Sequence, residues 1–184
     1  MSSARTLLAE HGEVRSQPAS DWRGTFPLPS DLAKFYDVVG PVDVTIEGYG
    51  NPNFLPSLAK LWEFQAGYRW NGLSGEPIVD WNDNWLVVAD EGGDAFIFDR
   101  VSSKVLFAQH GQGAWEPEEW FTDVGAMACC MAILGSVVRR AGEDFTDAGS
   151  NVKPEHRQNA IVRIAEVLGS RSDAEAIVDG AGWG

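Results

Sequence analysis

Three carboxylates lie close together in the stretch WLVVADEGGDAFIFD, which runs from Trp85 to Asp99. They are Asp90, Glu91 and Asp94, and two glycines separate the second from the third. Acids at this spacing could hold a divalent cation or transfer a proton. The same segment could also be a tight turn between two apolar strands, because glycine readily adopts the positive φ angles that hairpin turns need.

Turn chemistry accounts for every residue of the acidic segment. An aspartate at the first turn position accepts a hydrogen bond from an amide two residues on, and a turn glycine, Gly92 or Gly93, takes the positive φ angle. A calcium loop spreads its ligands over about a dozen residues and closes with a bidentate carboxylate, and DEGGD has neither feature. We therefore predict a turn, no bound metal, and carboxylates that face water.

Other catalytic signatures are missing. The three histidines, His11, His110 and His156, show neither HExxH nor HxH spacing, and the chain has no GxSxG or GxxxxGK[ST] motif. The sequence therefore predicts no catalytic and no cofactor-binding residues. One enzymatic alternative stays open, a metal-dependent hydrolase built from Asp90, Asp94, Asp99 and His110.

The middle of the chain is acidic. Between Trp85 and Thr122, seven acidic residues face two basic ones, and Trp115 and Trp120 flank the EPEE segment. Strand ends and the loop after His110 would form an anionic rim if they share one edge of a sheet. Charge would then steer a cationic protein and tryptophan would anchor it. The predicted partner-binding residues are Asp90, Glu91, Asp94, Trp115, Glu116, Glu118 and Glu119.

The charge of the whole chain agrees with a basic protein partner. Its 184 residues suit one domain, and 14 basic against 27 acidic residues give a net charge of −13. Such a field repels nucleic acid and anionic membrane, so neither is an expected partner. Solubility alone would also explain an acidic surface.

The cysteines and apolar segments indicate a soluble protein of a reducing compartment. Cys129 and Cys130 are adjacent within an apolar run, where neighbouring helical residues cannot form a relaxed disulfide. The N-terminal residues lack the apolar segment of a signal peptide. The longest near-apolar run, Gly125 to Val138, is shorter than the roughly 20 residues that span a bilayer. We expect a cytoplasmic location.

Hydrophobic periodicity predicts the α+β class, with a single antiparallel sheet whose central meander is flanked by N-terminal and C-terminal helices. The tail after Leu168 is expected to be loose apart from Trp183, which should find a buried position. Helices are predicted over 3–11, 30–39, 56–62, 123–140 and 154–168, and strands over 42–46, 85–89, 95–99 and 105–110.

Three motifs in this order resemble the SUKH superfamily, which groups a yeast cell-wall-synthesis regulator with many bacterial proteins. The motifs are LPSDLAKFY at Leu28–Tyr36, WLVVADEGGDAFIFD at Trp85–Asp99 and VLFAQHG at Val105–Gly111. The similarity covers residues 28–134. The chain departs from the family pattern at VVGPVDV, where an Asn-Gly step is usual, and in its extra residues 142–184.

The resemblance implies an α+β fold without enzymatic activity or catalytic residues. Bacterial members of the superfamily are commonly immunity proteins that bind and neutralise toxins, often nucleases, and yeast members are regulatory interaction hubs. The expectation is therefore a SUKH-like domain over 1–140, followed by a polar linker and C-terminal helical extension over 141–184. Its expected function is to neutralise a cognate basic toxin by binding and occluding it, and a regulatory scaffold is the alternative.

Overall fold

The computed structural model describes residues 1–184 and contains six α-helices and six β-strands. The helices are α1 (Ser2–Leu8), α2 (Ser30–Val38), α3 (Leu58–Leu61), α4 (Val124–Ala141), α5 (Pro154–Leu168) and α6 (Arg171–Val178). The strands are β1 (Val44–Ile46), β2 (Asn53–Leu55), β3 (Trp85–Glu91), β4 (Asp94–Asp99), β5 (Val105–Ala108) and β6 (Glu118–Phe121).

All six strands form one antiparallel sheet in the order β1-β2-β3-β4-β5-β6, so each strand pairs with its neighbours in sequence. The predicted α+β class with a single antiparallel sheet is confirmed. The meander is longer than predicted, because the predicted strands do not include β2 or β6. β2 and β6 have three and four residues and, unlike β1 and β5, lie in segments without an alternating or continuous apolar run.

The two faces of the sheet bury different parts of the chain. On one face, α4 and the other helices cover Phe96 and Phe98 within a core cluster of 35 buried residues. On the other face, Val87 and Ile97 lie beneath the long connection between α3 and β3, which contributes the buried Trp81. The second face is therefore closed by irregular chain rather than by a helix.

A β-bulge at Val88 decides which way the hairpin acids point. The register of β3 against β4 shifts by one residue there, and both Val88 and Ala89 consequently belong to the helix-side core. Beyond the bulge, Asp90 pairs with Ala95, which faces away from the helices. Glu91 therefore points toward the helices, where it lines a small cavity.

The central helix α4 is capped by Asp123, the first residue of the helix predicted over 123–140. The Asp123 side chain accepts hydrogen bonds from the amides of Gly125 and Ala126, at 2.7 and 2.9 Å. Cys129 and Cys130 are both buried free thiols in this helix, as the apolar run predicts. The stretch Val124–Phe145 is long and apolar enough to span a membrane, by length and composition alone. However, 67% of its apolar 18-residue window is buried inside the fold, as in the core helix of a folded domain.

Residues 142–184 complete the core on which the sheet rests. Helices α5 and α6 pack against each other, and α5 also packs on α4. Phe145 and Ile161 belong to the same cluster as the sheet residues. The expectation of a loose tail after Leu168 is wrong, because α6 follows and a final helical turn, Asp179–Trp183, ends the chain. Trp183, the residue of the tail expected to be buried, is 2% exposed.

Candidate functional site

A two-residue turn joins β3 to β4, with Glu91 paired directly to Asp94. Gly92 and Gly93 have φ angles of +62° and +106°. A tight hairpin turn of type I′ requires positive values at both positions. A Cβ on Gly92 would also lie 2.4 Å from the side chain of Asn51. The prediction that this segment reverses the chain is confirmed.

Asp90 and Glu91 are partly buried on opposite faces of the sheet. Asp90 accepts a hydrogen bond from the Tyr68 hydroxyl at 3.2 Å. Burial raises the pKa of both carboxyls, and the negative charge of Asp94 raises it further. The expectation that the hairpin carboxylates face water is wrong for these two residues, because both faces of the sheet are covered next to the turn.

Asp94 is held by His110. Its Oδ1 accepts the His110 backbone N–H at 2.8 Å and lies 2.6 Å from the ring Nδ1. The His110 side chain is 61% exposed, and that of Asp94 is 25% exposed. A carboxylate on Nδ1 orients an imidazole as a general base requires, but no hydroxyl or thiol is hydrogen-bonded to the other ring nitrogen.

The four residues of the hydrolase alternative do not meet. Asp99 accepts hydrogen bonds from backbone amides and a hydroxyl of the β4–β5 turn. It lies roughly 16 Å along β4 from Asp94, at about 3.3 Å per residue. Asp90 is on the opposite face of the sheet from Asp94. Of the proposed set, only Asp94 and His110 form a pair.

Trp115 is part of the cover of the sheet. Its ring centroid lies 5.6 Å from that of Tyr68 and 5.4 Å from that of Trp81. Its backbone N–H donates to the Asp80 carboxylate at 3.3 Å. Trp115 therefore anchors the loop that carries Glu116, and most of its ring is not free to contact a partner.

The acids around β6 are exposed, as predicted. Lys104 Nζ lies 2.8 Å from both carboxylate oxygens of Glu119, and solvent screens this exposed pair. Glu116 and Glu118 are exposed and form no salt bridge. Two uncompensated charges therefore remain beside the strand.

β6 is an open edge of the sheet, since no backbone hydrogen bond joins it to any element other than β5. Hollows of 490 and 550 Å³ lie along it, and both are lined by Glu118, Trp120 and Gly180. No lysine, arginine or histidine lines either hollow. We call the strand edge and the two hollows the β6 groove. Its acidic lining residues are Glu116, Glu118, Glu119 and Asp173.

The floor of the β6 groove is aromatic and apolar. The Trp120 ring stacks on that of Phe107, with centroids 4.3 Å apart and planes 28° apart. A Cβ on Gly180 would lie 2.8 Å from the Trp120 indole, so a glycine is needed for the final helical turn to approach it. Sequence reasoning missed Gly180 and Asp173, because only the tertiary fold brings the C-terminus to β6.

A second cluster joins a serine, a histidine and a glutamate between α1 and α4. Ser136 Oγ donates to Glu10 Oε2 at 3.1 Å and lies 3.3 Å from His11 Nε2. Ser136 is fully buried, and the glutamate contacts the serine, whereas in a catalytic triad it would contact the imidazole. Burial lowers the pKa of His11. This cluster docks α1 on α4 and offers no accessible nucleophile.

A third cluster contains the exposed residues Asp144 and Glu155 with the partly exposed His156, whose potential ligand atoms lie within 4.8 Å of one another. The Lys153 ammonium donates to Asp144 and lowers the pKa of that carboxyl. The His156 ring lies over Phe145 and its Nε2 donates to the Asp144 carbonyl at 3.1 Å. These contacts account for the cluster as the closure of the turn before α5.

No family model, curated protein or solved structure matches this chain. The resemblance to the SUKH superfamily therefore rests on the three sequence motifs. Function is therefore inferred from the geometry of the chain, and above all from the β6 groove.

Proposed function

We propose that this chain is a non-enzymatic protein-binding domain that receives a basic, extended segment of its partner along the β6 groove. One observation carries the proposal: the edge of β6 is unpaired, and two acid-lined hollows lie along it. An extended peptide can add a strand to such an edge through main-chain hydrogen bonds, while every second side chain, on the Trp120 side of the sheet, enters the hollows.

Charge makes the β6 edge selective. Exposed strand edges pair readily with other chains, and charged residues on the edge suppress that pairing. A second copy of this protein would bring Glu118 or Glu119 against another glutamate, and like charges directly opposite each other destabilise a strand pair. A lysine- or arginine-rich strand would instead be attracted by Glu116, Glu118 and Asp173. The groove therefore favours a basic partner over self-association.

The class of partner follows from the motifs. The resemblance to SUKH proteins makes a toxin domain the expected partner, in the cytoplasm where such a domain would act. Nuclease domains carry basic surfaces that neutralise phosphates, so an acidic groove complements them. An immunity protein needs to occupy such a surface and needs no chemistry of its own.

A peptide titration tests the binding mode. The full chain, labelled with ¹⁵N, is titrated with a short peptide of alternating lysine and valine, and the amide shifts of Glu118–Phe121 are followed. The control peptide has the same sequence with alternate backbone nitrogens methylated, which removes the N–H donors. We expect binding of the first peptide only. Equal binding of both peptides, or shifts scattered away from β6, would contradict strand addition.

Co-expression tests the biological role. Candidate toxin domains encoded by the neighbouring genes are each expressed in a host together with this chain, and survival is scored. We expect rescue by the wild type, loss of rescue with Glu118→Lys, and full rescue with Glu143→Lys, which makes the same charge change at an exposed site outside the groove. Peptide binding without rescue would support the regulatory scaffold, and rescue unaffected by Glu118→Lys would remove the groove from the mechanism.

A further inference from the structure

Asn53 carries a buried oxygen without a partner. This residue is 8% exposed, and its Oδ1 forms no hydrogen bond within the protein. Nearly all buried polar atoms in folded proteins are hydrogen-bonded, so an orphaned acceptor indicates a missing donor. The atom belongs to a residue that lines a cavity of about 30 Å³ between the sheet and the C-terminal helices. The missing donor would therefore lie in this cavity.

Glu91 faces the same cavity. It is the direct cross-strand partner of Asn53, so both side chains lie on the helix side of the sheet. Burial raises the pKa of Glu91, and the charge of Asp94, its partner on β4, raises it further. The helices contribute only apolar side chains to the lining, and the other ionisable group is the Tyr49 hydroxyl, which donates to the Ser150 carbonyl. The protein thus holds an acid where nothing within it neutralises the charge.

The walls and the size of the cavity define the ligand. Aromatic side chains surround the two oxygen-bearing groups, and aromatic faces attract cations. The space holds a group about the size of a water molecule or two, which excludes bulky quaternary ammonium ions. Hard metal ions need about six oxygen ligands, far more than are present here. The aromatic lining residues are Tyr49, Phe96, Trp120, Phe121 and Trp183.

We infer that this cavity is a binding site for a primary ammonium group, which donates hydrogen bonds to Asn53 Oδ1 and the Glu91 carboxylate against the aromatic walls. The ammonium could belong to a free alkylamine or to a lysine side chain. The cavity and the β6 groove share Trp120, Phe121 and Ile177 as lining residues. A lysine of a strand bound in the groove would therefore lie close to it, and this lysine source alone rests on the proposed function.

Small cations test the site without any protein partner. The full ¹⁵N-labelled chain is titrated with methylammonium chloride, with sodium chloride and tetramethylammonium chloride as controls for ionic strength and size. We expect saturable shifts of the Asn53 side-chain amide and the Trp120 and Trp183 indoles with methylammonium only. A two-atom ligand should bind with a Kd on the order of 10 mM, and more tightly as the pH rises through the raised pKa of Glu91.

Matched variants assign the binding to the cavity. Glu91→Gln keeps the shape and removes the charge, so it should weaken methylammonium binding about tenfold or more. Glu47→Gln removes the same charge from an exposed position beside the cavity and should leave binding unchanged. An equal response to sodium or tetramethylammonium, no saturable response to methylammonium, or binding that survives Glu91→Gln would each overturn the inference.

A second pair of ligands distinguishes a free alkylamine from a lysine side chain as the source of the ammonium group. Lysine capped at both backbone ends is compared with equally capped norleucine, which lacks the ammonium. Tighter binding of capped lysine than of methylammonium assigns the site to a protein side chain, and the reverse assigns it to a free amine. No groove-binding peptide is present in these titrations. The cavity can therefore fail to bind an ammonium group while β6 binds a strand, and it can bind an ammonium group while β6 binds no strand.

Discussion

Gly92 occupies a position in the hairpin turn where a side chain would be strained. Its φ of +62° is strained for a β-branched residue, and a Cβ there would lie 2.4 Å from the Asn51 side chain. We predict that Gly92→Val lowers the free energy of unfolding by about 1–2 kcal/mol, as measured by urea denaturation. Gly72→Val is the control, because its Cβ would meet only Ala66, at 3.8 Å. Equal stability of the two variants would contradict this account of the turn.

Glu91 should make the protein less stable at neutral pH. Because burial raises its pKa in the folded state, the folded protein holds this proton more tightly than the unfolded chain does. The resulting stabilisation is present at low pH and is lost as the pH rises through the folded-state pKa. We predict that Glu91→Gln is more stable than the wild type at about pH 7, and that the difference disappears below the ordinary glutamate pKa of 4.5.

Denaturation series across this pH range would test the prediction, with Glu47→Gln as an exposed control that shows no such trend. A constant difference between Glu91→Gln and the wild type would show that the charge of Glu91 is not the cause. An acid that destabilises the fold is a feature of binding sites, where function offsets stability. This result would therefore bear on the ammonium site as well.

At the scale of elements, the parts that the sequence predicts are those with long, regular patterns. The β3–β4 hairpin and the helices α4 and α5 have enough apolar positions to define a period. β6 has four residues, two of which are acidic, and its sequence pattern predicts a loop. Only the pairing with β5 makes this segment a strand. The sequence also does not predict the sheet faces toward which Asp90 and Glu91 point. The bulge at Val88 reverses the alternation of side chains, and no residue pattern indicates this bulge.

One buried side chain holds the C-terminal turn on the core. Trp183 is 2% exposed and its ring centroid lies 4.9 Å from that of Phe145. We predict that Trp183→Ala destabilises the protein by about 3–5 kcal/mol, as measured by urea denaturation. Val162→Ala changes an exposed helical position and should have little effect. A small effect of Trp183→Ala would mean that the last turn packs only loosely on the core.

At the scale of the whole molecule, the groove and the net charge act on different steps of binding. A net charge of −13 attracts any basic partner at long range, before contact. The local acids, Glu116 and Glu118, then determine the position at which the partner binds. Salt weakens the first effect over a Debye length of about 10 Å at 0.1 M, and short-range backbone hydrogen bonds in the groove are much less sensitive to it.

We therefore predict that salt changes the association rate constant of the lysine–valine peptide much more than its dissociation rate constant. Raising the salt from about 10 mM to about 150 mM should slow association about tenfold and change dissociation little, as measured by stopped-flow fluorescence. Glu143→Lys, outside the groove, should slow association slightly because it changes only the total field. Glu118→Lys should also speed dissociation, because it places a like charge opposite the bound strand. If salt changed dissociation as much as association, contact charges rather than strand addition would hold the peptide, and the open edge of β6 would not be its binding site.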